Sequence, residues 1–376
     1  MTKPTHTSRI AVTMPRLSQY GGAESFAWRL SAALAQRGHE VDFICGRCEG
    51  NAPEGVNPVV VGRFGGTRLI KLLWFTFMCA RKQKQGGYDL VFGMANSPDQ
   101  DILRIGGGPI SVFWQLSKQA WPAGAARSFK MLRRRLNPTN WVMHKLDNLR
   151  MRRTKKVVAV SHFVRDLILQ AHPYRTPESI EVIYNRPDLS KFSQPTDEER
   201  AALRQQAGIE QGRVVIGTAA TNFALKGVRQ LITALADLPE HFELHIAGGR
   251  RPDKYIRLAQ KLGVEDRVRF LGKVDDMASF YRRIDIFILA TFYDACSNAV
   301  LEALACGCRV ASSARNGSAY FLPDSHVFPD PADVPAMTAL LRKMEKEERP
   351  VEFQWPSDVP SGIDPFISII ESMVSK

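Results

Sequence analysis

An acid at position 294, a short polar loop and a second acid at 302 carry the most chemical content in this chain, within the stretch YDACSNAVLEALACGCRV at 293–310. The apolar run 284–289 predicts a strand before it. A helix is expected to begin near Ser297, bury Val300, Leu301 and Leu304, and stop at Gly307, where a positive φ costs little. Asp294 then lies just before the start of that helix, and Glu302 lies inside it, eight positions and about two turns on from Asp294 at 3.6 residues per turn. Orphan N–H groups and a positive dipole end make such a start attractive to phosphate. A carboxylate at each margin accepts hydrogen bonds from sugar hydroxyls, which are neutral donors. Phosphate in the middle with hydroxyls on either side describes a nucleotide sugar. The plain alternative is an α/β helix with two solvated acids.

Such a site needs a sheet behind it. Residues 10–14 (IAVTM) predict a buried strand, 23–37 a helix closed by Gly38, and 40–45 the next strand, which is a βαβ unit. The loop between them, PRLSQYGGAE at 15–24, holds Gly21 and Gly22, which let the backbone approach a ligand at a helix start. It is not the G-x-G-x-x-G fingerprint, and paired glycines also serve simply as turns. Residues 88–92 predict a strand, and GMANSPDQD at 93–101 follows its carboxyl end, where open α/β sheets place ligands. Asp99-Gln100-Asp101 has the form of a metal-binding D-x-D, but no third ligand accompanies it; a cap or turn is the other reading of Asp101. Gly106, Gly107 and Gly108 predict a loop. A strand at 156–160, a Ser161 cap, a helix at 162–171 and a strand at 180–184 complete the first half, and Asn185-Arg186-Pro187-Asp188 serves as linker.

The alternation then restarts with a strand at 214–217, helix 227–238, strand 242–247, helix 253–262 and strand 268–271. Two α/β halves imply two domains, expected over 1–186 and 187–355, with an amphipathic C-terminal segment at 356–376. Lys226 stands immediately before a helix start, where a full positive charge opposes a diphosphate leaving group; a surface lysine is the alternative.

The composition is ordinary for a globular protein, 44% hydrophobic and 24% charged, while the formal charge of +13 is not. Ten of those net charges arise between 127 and 156, where eleven Lys or Arg face one acid, Asp147. Phe129, Leu132, Leu136, Trp141 and other apolar residues are interleaved, which predicts basic amphipathic helices broken at Asn137-Pro138. Such helices suit an anionic membrane surface. A solvated helix face is the alternative; a nucleic-acid partner is not expected, because no binding module or stacking motif accompanies the charge. Cys45 and Cys48 form a lone C-x-x-C without a second pair, so reduced thiols and no metal are expected. The first nine residues are polar and no apolar run reaches the roughly 20 residues of a bilayer span, so neither a leader nor a spanning helix is expected.

The acid, seven residues and Glu-Ala resemble the E-x7-E motif of retaining group 1 glycosyltransferases, and the loop carrying Gly93, Pro98 and Asp101 is similar to that of the lipopolysaccharide core α-glucosyltransferase family. The resemblance implies the GT-B fold: two facing Rossmann-like domains, a cleft between them, and a C-terminal helix returning to the first. It implies that Asp294 contacts the donor sugar, that Ala295, Cys296, Ser297 and Asn298 bind the diphosphate, and that Glu302 holds the ribose. Lys226, with Thr221 and Asn222 in its loop, would face the diphosphate. Gly248 and Arg250 would lie beside it, and Lys273, after the strand at 268–271, would border the nucleobase. Gly21 and Gly22 match the family's G-G-x-E loop, and Asp101 would be the acid near the reacting sugar and acceptor hydroxyl. The chain departs from the family at Asp294, where Glu is usual, at Ala295-Cys296-Ser297, which replace a Gly-Phe-Gly type loop, and at Thr221, where an arginine is common.

The implied reaction moves a hexose, glucose by analogy, from a UDP-sugar to a lipid-linked saccharide such as lipopolysaccharide core. It proceeds by front-face attack, without a metal or a protein nucleophile, at the cytoplasmic face of the inner membrane. No Ser-His-Asp or Cys-His constellation stands out to argue otherwise. A nucleotide-sugar epimerase of the same fold and a non-catalytic nucleotide-sugar-binding protein with a decayed site are the competing readings.

Overall fold

The computed structural model describes residues 7–94, 97 and 99–375, divided into two compact units. The first holds the described residues up to Trp114, then Ala123–Tyr184 and the chain from Val359 onward; the second holds Gln115–Pro122 and Asn185–Asp358.

Among the described residues of the first unit, seven strands lie parallel: β1 (Arg9–Thr13), β2 (Glu40–Cys45), β3 (Val56–Val60), β4 (Leu90–Gly93), β5 (Ile102–Ile105), β6 (Lys156–Ala159) and β7 (Ile180–Val182). Their order is β3-β2-β1-β4-β5-β6-β7. Burial on both faces explains the continuous apolar runs. Ile10, Val12 and Phe43 pack with Phe26, Leu30 and Leu34 of α1 (Gly22–Gln36), whereas Ala11 and Ile44 pack with Phe75 and Cys79 of α2 (Arg68–Gln85). α1 starts after Gly21, whose φ of 97° lies in the region that favours glycine. The order reverses between β1 and β4, where parallel sheets open a crevice at their carboxyl ends.

The helices α3 (Ile110–Lys118), α4 (Ala125–Leu136), α5 (Pro138–Arg153) and α6 (His162–Ala171) follow. The basic segment breaks at Asn137-Pro138: the Asn137 side chain accepts the Thr139 N–H at 2.9 Å, and Pro138 occupies a position whose N–H would have no helical partner. α4 buries none of its residues and exposes Phe129, Leu132 and Leu136. α5 departs from the expected amphipathic surface helix. Its one acid, Asp147, turns inward, where it accepts the Arg150 guanidinium and the Ile110 N–H, and Thr139 and Met151 are buried with it. α5 is therefore a packing helix, with Trp141 exposed near its start.

The second unit repeats the plan with β8 (Val214–Ala219), β9 (Phe242–Ala247), β10 (Val268–Gly272), β11 (Ile286–Leu289), β12 (Arg309–Ser313) and β13 (Val327–Phe328), parallel in the order β10-β9-β8-β11-β12-β13. Alternate residues serve alternate faces. Ile216, Leu244, Ile286 and Ile288 pack with α8 (Val228–Ala236) and α12 (Val334–Glu345), while Val215, Phe287, Leu289 and Val310 pack with α10 (Met277–Arg283) and α11 (Asn298–Ala305). α7 (Asp197–Gln206) opens on a Thr196/Glu199 capping box, and α9 (Asp253–Lys261) follows β9. The last helix, α13 (Asp364–Val374), places Phe366, Ile367 and Ile370 in the core of the first unit, with the Phe366 ring 4.8 Å from that of Phe26.

Candidate active site

The second unit brings Lys226 and Asp294 together across 68 residues of sequence. The contact begins with backbone packing. Gly227 has φ 68°, and a Cβ there would fall 2.1 Å from the Ala290 carbonyl oxygen, so only glycine lets the loop before α8 lie against the end of β11. The Leu225 carbonyl then accepts the Phe292 N–H at 2.8 Å and the Thr291 hydroxyl at 3.2 Å. With both loops pinned, the Lys226 ammonium ion-pairs with the Asp294 carboxylate, their side chains only 16% and 18% exposed. At that burial the ion pair is screened far less than a surface one.

The turn after Asp294 is clamped from the segment after β12. Asp294 donates its N–H to the Arg315 carbonyl and accepts the Gly317 N–H, both at 2.9 Å. Asn316, buried, accepts the N–H groups of Ser297 and Ser318 through Oδ1 and donates from Nδ2 to the Ser312 hydroxyl. The Ser318 hydroxyl donates to the Ser297 carbonyl at 2.9 Å and meets the Cys296 thiol. α11 begins after Ser297, whose side chain makes no capping bond, and Asn298 Oδ1 accepts from the Asn185 amide. Ala295, Cys296 and Ser297 are thus buried, rigid backbone leading to a helix start whose dipole favours an anion.

Glu302 lies inside α11, half-buried, and accepts the Tyr281 hydroxyl at 3.0 Å. Burial raises the Glu302 pKa above the ordinary carboxyl value, while the Tyr281 bond and the nearby Lys191 charge pull it back. The groups facing it are Tyr281, Lys191 and the Cys306 thiol, which is itself held protonated by burial. Tyr281→Phe removes the bond that favours the charged form. The Glu302 pKa then rises further, and, with Glu302 on the donor ribose as the resemblance implies, donor KM begins to climb on acidification at a higher pH than in the parent. A pH profile of donor KM checks this; superimposable profiles contradict it.

Thr221, Asn222 and Arg250 line one cavity of about 500 Å³ together with Phe223, Lys254 and Tyr255. Gly248 has φ 86°, and a Cβ there would meet the Ala220 carbonyl oxygen at 2.8 Å, which explains how the loops after β8 and β9 come together. Gly272, at φ 63°, turns the chain after β10, and Lys273 pairs with Asp275, both side chains at least 80% exposed.

Gly21 and Gly22 start α1 in the first unit, where Glu24 of the same loop is held by Arg16. Of the loop 93–101, Pro98 lies outside the described residues. Asp101 stands elsewhere than expected. The loop leaves β4 at its carboxyl end, but by Asp101 it has returned to the amino-terminal edge of the sheet. There the Asp101 carboxylate accepts the Val91 N–H at 2.9 Å and pairs with Lys155 at 3.0 Å, and its carbonyl accepts the Lys156 N–H. An acid used there as a sheet acceptor lies on the edge opposite the one where parallel sheets open their crevice. Asp101→Ala leaves the Val91 N–H unmatched and is expected to cost about 1–3 kcal/mol of stability. Turnover per folded molecule stays within a few-fold of the parent, whereas a reacting acid would lose about 10² or more. A melting curve beside a kcat measurement separates the two.

Tyr281, Thr291 and Asn316 were not legible as site residues. Tyr281 had a faint mark, an aromatic in FYRR five residues before a buried strand; Thr291 and Asn316 act through chain crossings that no local pattern announces. Among the described residues no group of three or more His, Cys, Asp or Glu could hold a metal ion.

Known families and structures match this architecture. Residues 199–354 match the glycosyl transferases group 1 family, and residues 20–191 match glycosyltransferase family 4. The chain is 24% identical over 357 residues to the lipopolysaccharide glucosyltransferase WaaG of Escherichia coli K12, covering 92% of this chain and 91% of that protein. The crystal structure of WaaG, a glycosyltransferase involved in lipopolysaccharide biosynthesis, superposes with a TM-score of 0.73 at 21% identity, covering 97% of this chain and 94% of the other. The Anabaena Alr3699/HepE structure, in complex with UDP and glucose, gives a TM-score of 0.64 at 18% identity and 90% coverage of each chain. With a transferase domain matched over each of its two parallel-sheet units, the chain is a glycosyltransferase of the GT-B fold that carries a group 1 glycosyltransferase domain.

Proposed function

We propose that the chain is a retaining hexosyltransferase that moves glucose from UDP-glucose to a hydroxyl of a lipid-linked saccharide such as lipopolysaccharide core. The observation that carries this is the Lys226–Asp294 ion pair before the start of α11, with Glu302 about one turn into that helix. Lys226 and the helix start oppose the diphosphate, Asp294 accepts from the hexose hydroxyls, and Glu302 accepts from the ribose. As the bond between the anomeric carbon and the diphosphate oxygen breaks, charge grows on that oxygen, and Lys226 stabilises it. The acceptor oxygen bonds to the same face of the anomeric carbon and its proton passes to the departing diphosphate, so neither a metal nor a protein nucleophile takes part. The name of the Escherichia coli relative and the UDP and glucose of the Anabaena complex support this choice of donor and acceptor class.

The acceptor class also suits the outside of α4, where Phe129, Leu132 and Leu136 are exposed among Lys130, Arg133 and Arg135. No helix among the described residues is long and apolar enough to cross a membrane. Attachment to the anionic cytoplasmic face of the inner membrane through α4, the exposed part of 127–156, would bring the enzyme to a lipid-linked acceptor. The test is incubation with UDP-glucose and deacylated core saccharide. UDP release with an α-linked product by anomeric NMR supports the reading. A β-linked product overturns the retaining mechanism, isomerised sugar nucleotide formed without acceptor points to an epimerase, and nucleotide binding without UDP release points to a decayed site.

A further inference from the structure

The exposed face of α2 is unlike an ordinary solvated helix. Ile70, Leu73 and Phe77 stand at positions i, i+3 and i+7, on one side of the helix, and all three are exposed, Phe77 by 63%. Phe64, 64% exposed, extends the stripe from the preceding loop, with its ring 5.2 Å from that of Trp74. Continuing along the same side, Arg81 and Lys84 replace the apolar residues, and both are exposed. From 55 to 88 the chain holds six Lys or Arg, namely Arg63, Arg68, Lys71, Arg81, Lys82 and Lys84, and no acid at all.

An aromatic and aliphatic stripe inside a purely cationic stretch matches the chemistry of an anionic bilayer, with acyl chains for the side chains and phosphates for the rim. A second copy of the chain fits worse, because an isologous contact would set this cationic surface against itself. We propose that α2 is a second membrane-contact face, inserting Phe64, Leu73 and Phe77 into an anionic leaflet with Arg81 and Lys84 at the headgroups. This rests on the membrane attachment proposed above and adds a contact independent of α4. Two weak contacts on one body act together, so that stable attachment follows from faces that separately bind weakly.

The test uses the full chain with vesicles of phosphatidylglycerol and phosphatidylethanolamine, against phosphatidylcholine alone, read by co-sedimentation. Leu73→Ser/Phe77→Ser is expected to weaken binding to anionic vesicles by about tenfold or more while leaving turnover of a soluble acceptor unchanged. Arg81→Glu/Lys84→Glu, which touches no apolar residue, is expected to do the same. Phe129→Ser/Leu132→Ser/Leu136→Ser measures α4 separately. Weakened binding in either α2 variant, with α4 intact, supports the second face. Parental binding in both α2 variants overturns it, even where the α4 variant fails to bind. No binding by the parent protein overturns the attachment altogether, and a parent dimer dissociated by the α2 variants assigns the stripe to self-association and also overturns the proposal.

Discussion

Lys226→Ala is expected to lower turnover by about 10²–10³, the cost of removing one preorganised charge from a developing anion. The size of the effect follows from where the ammonium is held. It is largely buried, fixed by its bond to Asp294, and placed by a loop that Gly227 presses against the end of β11. Such a charge needs little reorganisation as the diphosphate departs. The substitution should not unfold the unit, since the backbone of Asp294 keeps its bonds to Arg315 and Gly317 and the Leu225 carbonyl keeps those from Phe292 and Thr291. Circular dichroism at the assay temperature and kcat from UDP release check both halves. Parental turnover in this variant would remove Lys226 from the site.

Glu302→Gln is expected to act mainly on the donor. The amide oxygen can still accept from Tyr281, so the buried hydroxyl keeps a partner and the helix its packing. What is lost is the charge that, in the proposed reading, strengthens the bond to a ribose hydroxyl. Hydrogen bonds to charged groups contribute about 1.5–3 kcal/mol, so donor KM should rise by roughly 10- to 100-fold with a smaller change in kcat. A donor lacking the ribose hydroxyls should lose a similar factor with the parent and little more with the variant, the pattern of a shared interaction in a double-mutant cycle. Additive losses in the two arms would place Glu302 away from the ribose.

The fold was legible wherever burial acts on a continuous run. Strands such as IAV and FIC are apolar on both faces because parallel sheets are covered on both sides, and Gly38 and Gly307 mark helix ends with φ of 92° and 73°. The break between α4 and α5 was written in Asn137-Pro138 for the same local reason. The orientation of α5 was not, because composition counts Asp147 as one acid among many bases and cannot say that it faces inward onto Arg150. Asp101 misled for a topological reason: a loop that starts at a carboxyl edge must somewhere return to the amino edge before the next parallel strand. Its last residue therefore belongs to the far side. Lys226 and Asp294 were each visible as charges beside helix starts, while their meeting depends on the absence of a Cβ at Gly227 and on the Asn316 clamp.

The most direct measurement is thermal unfolding of the parent and of Lys226→Ala with UDP, ADP, GDP and their glucose conjugates. A ligand at 100 times its Kd adds about 2.7 kcal/mol of stability, a shift that is readily resolved. The account predicts stabilisation of the parent by UDP and UDP-glucose, with most of it lost in Lys226→Ala. Stabilisation by no nucleotide, or by UDP equally in both proteins, would contradict a donor site built on Lys226, Asp294 and Glu302.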